Sequence, residues 1–295
     1  MLPVDSFTDY LLYERNYSKK TVDNYVTDIN QLGGYIEQLL GEFEVSQVKA
    51  EHVRDWMMSL MSQGYSASTV NTKLSSLRTY FHFLLLNGQV KTNPLALLSG
   101  PKKKKPLPTF LKESEMNHLL DDVQYGDNFE GVRNRMILEM FYATGMRLSE
   151  LIGLDDAHVD FFLHQIRVTG KRNKQRFIPF DAELEKSMML YLEVRDLQIR
   201  ENRESAFFVR KNGKRMYAGL VRNIVKKHVS LVSTLKKNSP HVLRHTFATQ
   251  MLNHEADLEA VKELLGHESV ATTQVYTHTT FEELKKAYKQ SHPRG

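Results

Sequence analysis

Residues 99–108 read Ser99-Gly100-Pro101-Lys102-Lys103-Lys104-Lys105-Pro106-Leu107-Pro108, and no other stretch limits the fold as strongly. Proline fixes φ and removes a backbone donor, glycine resists ordering, and four adjacent ammonium groups repel one another. Such a segment cannot belong to a packed helix or strand. It divides the 295-residue chain, 41% of it apolar, into two parts that can each bury a core. The expected organisation is a domain over 1–98, an extended basic linker over 99–109 and a second domain over 110–295. By composition alone a solvated charge run, or an import-like patch, weighs about as much as a basic strap lying along a polyanion.

Charge is uneven across this boundary. Residues 1–100 carry 8 Lys and Arg against 10 Asp and Glu, a net −2, whereas residues 101–295 carry 32 against 25, a net +7. A surplus confined to one half suggests a polyanionic partner, since neutralising phosphates releases counterions. The chain has no cysteine, which excludes disulfides, thiolate zinc sites and a Cys nucleophile. No signal-peptide pattern stands at the N-terminus, and no apolar stretch approaches the roughly 20 residues needed to span a bilayer. A soluble cytoplasmic protein with no membrane partner is expected.

The first half reads as a helical bundle. Val22, Tyr25, Val26, Ile29, Leu32, Ile36 and Leu39 recur at three- and four-residue steps behind Ser18, a good N-cap. Val70, Leu74, Leu77, Phe81 and Leu84 with Leu85 make a second stripe. Opposite that stripe Asn71, Ser75, Arg78 and His82, flanked by Thr69, Lys73 and Ser76, form a polar and basic face without carboxylates, suited to a major groove or to solvent. Lys19 and Lys20 add charge at the start of the earlier helix.

In the second half Met116, Leu119, Leu120 and Val123 mark one helix, and Met136, Ile137, Met140 and Phe141 the next. Thr144-Gly145-Met146 then sets Arg147 at a turn, with Ser149 as the expected N-cap of a short helix. Residues 165–168 and 176–179 predict a hairpin with Lys171 at its tip. Gly266 reads as a helix C-cap, and Thr280-Phe281-Glu282-Glu283 opens a short amphipathic tail helix with Phe281, Leu284 and Tyr288 on one side. The fold class is therefore mainly α, in two domains, with a small antiparallel β-sheet in the second.

Four separated segments carry groups that suit a phosphodiester. The non-bridging oxygens of such a group repel a nucleophile, so planar cations that hold them bidentately lower the barrier, and Arg147 and Arg244 fit that task. Tyr276, nine residues beyond His267, is a nucleophile in need of help, because a phenol with a pKa of about 10 is ionised in roughly one molecule per thousand at neutral pH. His241 or His267 can accept its proton or bond the phosphate. Lys171, among arginines, is the best donor for a leaving alkoxide. A zinc hydrolase is the rival reading, since His241 and His245 stand four apart and His254, His267 and His278 follow. It lacks the His-Glu-x-x-His arrangement, and Arg244 would face the metal. His245, His254 and His278 read as core histidines, and the commoner role of Arg147 and Arg244 is a buried salt bridge to Glu150.

Taken together, Arg147, Lys171, His241-x-x-Arg244, His267 and Tyr276 fill every position of a pattern that resembles the tyrosine recombinase (lambda-integrase-like) family, its Xer branch most closely. The resemblance covers essentially the whole chain, and it implies catalytic roles for these six residues, with Tyr276 forming a 3′-phosphotyrosyl intermediate and Glu150 bracing the site. It implies a SAM-like core-binding N-terminal domain, a C-terminal catalytic domain, and a reaction through a Holliday junction with no cofactor and no metal. Lys19, Lys20, Asn71, Lys73, Arg78, Arg172 and the linker lysines Lys102, Lys103, Lys104 and Lys105 are the expected DNA contacts. The implied partners are double-stranded DNA with a specific recombination site, a tetramer on two sites with a related recombinase, and a DNA-translocase activator. Chromosome-dimer resolution at cell division is the implied role. A phage or mobile-element integrase is the alternative, then a non-catalytic DNA-binding protein or a type IB topoisomerase. In the family the tail helix docks into a neighbouring protomer, and that is expected here.

Overall fold

The computed structural model of the chain describes residues 2–102, 109–170, 174–199, 204–235, 237–266 and 281–293. These form two compact units, Met1–Pro106 and Leu107–Gly295. In chain order the first unit holds α1 (Asp5–Asp9), α2 (Lys19–Leu40), α3 (Ala50–Ser62) and α4 (Ala67–Leu86). The second holds α5 (Glu113–Asn117), α6 (Phe129–Thr144), α7 (Leu148–Ile152), β1 (Val159–Asp160), β2 (Gln165–Thr169), β3 (Gln175–Pro179), α8 (Ala182–Gln198), α9 (Ala218–Val232), α10 (Pro240–Asn253), α11 (Leu258–Leu265) and α12 (Phe281–Ser291). Among the described residues no helix is long and apolar enough to cross a membrane.

In the first unit α2 starts where Ser18 accepts the N–H of Thr21 at 3.3 Å, and Ser66 caps α4 in the same way at 3.1 Å. The two apolar stripes face each other, with Ile29, Leu32, Leu74 and Leu77 fully buried and Trp56 of α3 closing the core. Leu39 and Leu85, counted with the stripes, are exposed at their edges.

The polar face of α4 differs from its sequence reading. Asp28 of α2, itself buried, takes Lys73 Nζ at 2.8 Å and the Ser76 hydroxyl at 2.8 Å. The face thus does meet a carboxylate, one supplied across the helix pair where helical spacing along α4 cannot reveal it. Asn71 donates to the carbonyls of Ala67 and Pro101, at 2.7 and 2.8 Å, and Arg78 donates to the Leu98 carbonyl at 2.8 Å. These contacts tie the start of the basic stretch to α4. Lys19, Lys20 and Lys102 are exposed, while Lys103, Lys104 and Lys105 lie outside the described residues.

In the second unit α6 is buried on almost every side, from Phe129 to Thr144, and packs against α8, α9 and α10. The strands form one antiparallel sheet in the order β1-β2-β3, with Ile166 opposite Ile178 and Val168 opposite Arg176. Ile166, Val168 and Ile178 are buried, so strand alternation turns Arg176 towards the interior as well. β1, too short for a periodic signal, was not expected. The tail helix α12 packs on its own unit in this single chain: Leu284 and Tyr288 complete a cluster with Phe247, Met251 and Leu264, and the Tyr288 hydroxyl stands 3.4 Å from Asp181 Oδ2.

Asp28→Ala should leave the Lys73 ammonium buried without its counter-charge and destabilise the first unit by about 3 kcal/mol. Chemical denaturation followed through Trp56, which reports on the first unit, measures it; an unshifted midpoint would mean that the pair is not holding α2 to α4.

Candidate active site

The end of α6 sets the site. Gly145 has φ 58° and closes the helix through its N–H to the Phe141 carbonyl at 3.0 Å. A Cβ there would overlap the Phe247 ring and crowd Leu265, so the reversal needs glycine both for its backbone angle and for space. The chain then presents Arg147 in extended conformation at the head of α7. Glu150, rather than Ser149, satisfies that head: its Oε2 accepts the Arg147 backbone N–H at 2.7 Å, and Ser149 lies inside the helix.

Glu150 is the hub. Its side chain has no solvent exposure, and it accepts Arg147 Nη1 at 2.8 Å and the two terminal nitrogens of Arg176 at 2.6 and 2.9 Å. Burial pushes the Glu150 pKa up, but the hydrogen bonds and charge of Arg176, then the backbone and side-chain hydrogen bonds of Arg147, outweigh it and hold the carboxyl below its ordinary value.

Arg244 reaches the same point from α10. Pro240 occupies the first turn of that helix, and Arg244 turns inward with Phe247 one turn on. Its guanidinium donates to the Gly145 carbonyl and to the Leu265 carbonyl, each at 2.6 Å. Arg176 Nε donates to Leu264 O at 2.8 Å, and Arg147 Nη2 to Gly266 O at 2.6 Å. Three successive carbonyls at the end of α11, groups a helix leaves unpaired, therefore each meet a different arginine. Gly266, at φ 62°, ends α11; a Cβ on it would press against Arg176 at 3.2 Å and Arg147 at 3.4 Å.

Three guanidiniums against the single charge of Glu150 leave this cluster positive. Burial, then the charges of Arg147 and Arg176, push the Arg244 pKa down to about 10, so it stays a cation at neutral pH. His241 stands three residues before Arg244; partial burial of its ring, then the charges of His245, Arg244, Arg222 and Arg147, lower its pKa and favour the neutral imidazole. The arrangement can hold a dianionic or monoanionic oxygen cluster and offers a neutral base beside it.

Arg147, Glu150, His241 and Arg244 of the predicted set are thus brought together. Lys171, Arg172, His267 and Tyr276 lie outside the described residues, although Gly170 N–H to Lys174 O at 2.8 Å frames the hairpin tip and Gly266 directly precedes His267. Arg176 was missed, although its alternation with Ile178 along a predicted strand could have marked it as inward-facing. His245 and His254 are exposed rather than core, because they occupy the outer side and the end of α10; His278 lies outside the described residues. Among the described residues no group of three or more His, Cys, Asp or Glu could hold a metal ion.

A mainly helical chain of two units, with an arginine cluster of surplus positive charge beside a His-x-x-Arg helix, offers a site for an anion. Residues 4–88 match the model described as phage integrase, N-terminal SAM-like domain, and residues 109–283 the phage integrase family. The chain belongs to the phage integrase family and is a site-specific tyrosine recombinase, an enzyme that breaks and rejoins DNA strands. It is 37% identical to tyrosine recombinase XerC of Chlorobaculum tepidum over 314 residues, covering 98% of this chain and 94% of that one. With tyrosine recombinase XerC of Bacillus licheniformis the identity is 39% over 98% and 95% of the two chains. The fold is that of XerH recombinase in its post-cleavage complex with palindromic difH substrate, with a TM-score of 0.72, 20% identity and coverage of 95% of this chain and 79% of that one.

Because Glu150 is held below its unfolded value, its ionised form stabilises the fold above the ordinary carboxylate range, and that contribution is lost as pH falls through the lowered value. Glu150→Gln should destabilise the second unit by about 3–5 kcal/mol at neutral pH. In urea unfolding the gap to the unmodified protein should close at pH below about 4; a gap independent of pH would contradict an ionised Glu150.

Proposed function

We propose that this chain exchanges strands between two duplex DNA sites by way of a 3′-phosphotyrosyl intermediate, and that it serves in the cytoplasm to resolve chromosome dimers at cell division. The observation that carries this reading is the convergence of Arg147 and Arg244 on one point, anchored by Glu150 and the last carbonyls of α11, immediately before the segment that holds His267 and Tyr276.

In the proposed reaction Arg147 and Arg244 hold the non-bridging oxygens of the scissile phosphate, and His241 or His267 takes the phenolic proton. Tyr276 Oη bonds to phosphorus as the bond to the 5′-oxygen breaks, and Lys171 gives that oxygen its proton. The phosphotyrosine retains the energy of the broken ester, so a 5′-hydroxyl from a second duplex reverses the step and returns the proton without ATP or metal. Two such exchanges, through a Holliday junction, recombine two sites. A tetramer on two sites, with a related recombinase as partner and a DNA translocase as activator, is the proposed assembly, and exchange of α12 between protomers is its proposed link. Lys19, Lys20, Arg172 and the lysines from Lys102 to Lys105 are the proposed phosphate contacts outside the site. Asn71, Lys73 and Arg78 contribute whatever their internal partners leave free.

A nicked duplex carrying a site selected for binding from random-sequence DNA should trap a covalent adduct in denaturing gels. Tyr276→Phe should abolish the adduct and keep binding, and Arg147→Ala or Arg244→Ala should slow its formation by roughly 10²–10³-fold, as loss of one oxyanion donor does. No adduct from the unmodified protein would refute the reading. The neutral state favoured for His241 also predicts that any fall in rate due to its protonation begins below the ordinary histidine value of about 6.5; single-turnover rates across pH, with His241→Gln alongside, measure it.

A further inference from the structure

Arg176 carries no role in the reaction proposed above, yet all three nitrogens of its guanidinium are bonded within the cluster. It forks onto both oxygens of Glu150, at 2.6 and 2.9 Å, and its Nε meets the Leu264 carbonyl at 2.8 Å. Every nitrogen of its guanidinium is thus engaged by Glu150 or the end of α11, which turns the group into the protein and away from the open face of the site. Strand alternation explains how it gets there: opposite Val168 and two residues before Ile178, it shares their inward face.

We propose that Arg176 is a positioning residue for strand cleavage, a fork that locks Glu150 beneath Arg147 and fastens the end of α11 to both without touching the scissile phosphate. The inference rests on the recombinase reading. Two consequences follow from charge and geometry. Arg147 and Arg244 against Glu150 would leave one surplus positive charge, and Arg176 raises that surplus to two, offsetting the carboxylate that faces Arg147. A rigid bidentate fork also fixes the plane of the carboxylate, and hence the direction in which Arg147 Nη1 is held. The groups facing Glu150 are Arg147 from its own helix, Arg176 from β3 and the charge of Arg244 from α10. Removing Arg176 takes away the first of the influences that keep Glu150 ionised.

The test compares single-turnover adduct formation on the selected nicked duplex for the unmodified protein, Arg176→Gln, Arg176→Lys, Glu150→Gln and the Arg176→Gln/Glu150→Gln pair, below the unfolding transition of each. Arg176→Gln should slow the step by about a hundredfold, the scale of an ångström of misplacement, with the affinity for the duplex unchanged. Arg176→Lys, which keeps the charge and loses the fork, should recover little of that rate. The acid side of the rate profile should move to higher pH in Arg176→Gln, and the paired variant should be no slower than the slower single one. A wild-type rate in Arg176→Gln, full rescue by lysine, additive losses in the pair, or a loss of affinity that accounts for the loss of rate would overturn the inference while the recombinase reading stands. No adduct from the unmodified protein would remove both.

Discussion

A carboxylate with no access to water must find all its hydrogen bonds within the protein, and Glu150 finds them in the backbone and side chain of Arg147 and the fork of Arg176. Isolated, such a group would be neutral; surrounded by donors and cations it is held ionised. The rest of the second unit is arranged so that these donors arrive together. α6 delivers Arg147 through the left-handed turn at Gly145, the hairpin delivers Arg176 by strand alternation, and α10 brings Arg244 to the Gly145 carbonyl from the far side. The end of α11 then completes the ring of acceptors, and Gly266 lets two guanidiniums approach its backbone closely.

The two units use a buried carboxylate in different ways. Asp28 meets one ammonium and one hydroxyl, so the pair ties α2 to α4 and is electrically closed. Glu150 is outnumbered, and its cluster stays positive. A surplus of buried or half-buried charge is costly in an empty protein and is repaid when an anion binds, which is how a site can be both stably folded and ready for phosphate.

Much of this was legible in the sequence. The Pro/Lys stretch announced two units, the three- and four-residue steps of Val22 to Ile36 and Val70 to Leu84 announced helices, and alternation across the hairpin announced the strands. Arg147, Arg244 and Glu150 stand out in the sequence by chemistry and spacing that suit a phosphate, and the fold brings the three together. Other features were not legible, for a common reason: they depend on partners distant along the chain. Asp28 reaches Lys73 over 45 residues, and Arg176 reaches Leu264 over 88. Periodicity along a single helix describes which way a side chain faces, and it cannot say what waits there. The same limit explains why the polar face of α4 read as open; the Ser149 reading failed for a local reason, because Arg147 is itself the N-cap and Glu150 three residues on accepts its N–H.

The central claim is that the surplus charge of the arginine cluster exists to neutralise a phosphate. The most direct test replaces one non-bridging oxygen of the scissile phosphate in the nicked duplex by methyl, which removes the charge and keeps the electrophile, and compares Arg244→Ala with the unmodified protein on both substrates. If charge neutralisation is the role, the rate lost by Arg244→Ala on the natural phosphate should largely disappear on the methylphosphonate. An equal loss on both substrates would contradict the account and leave Arg244 as a structural tie between Gly145 and Leu265.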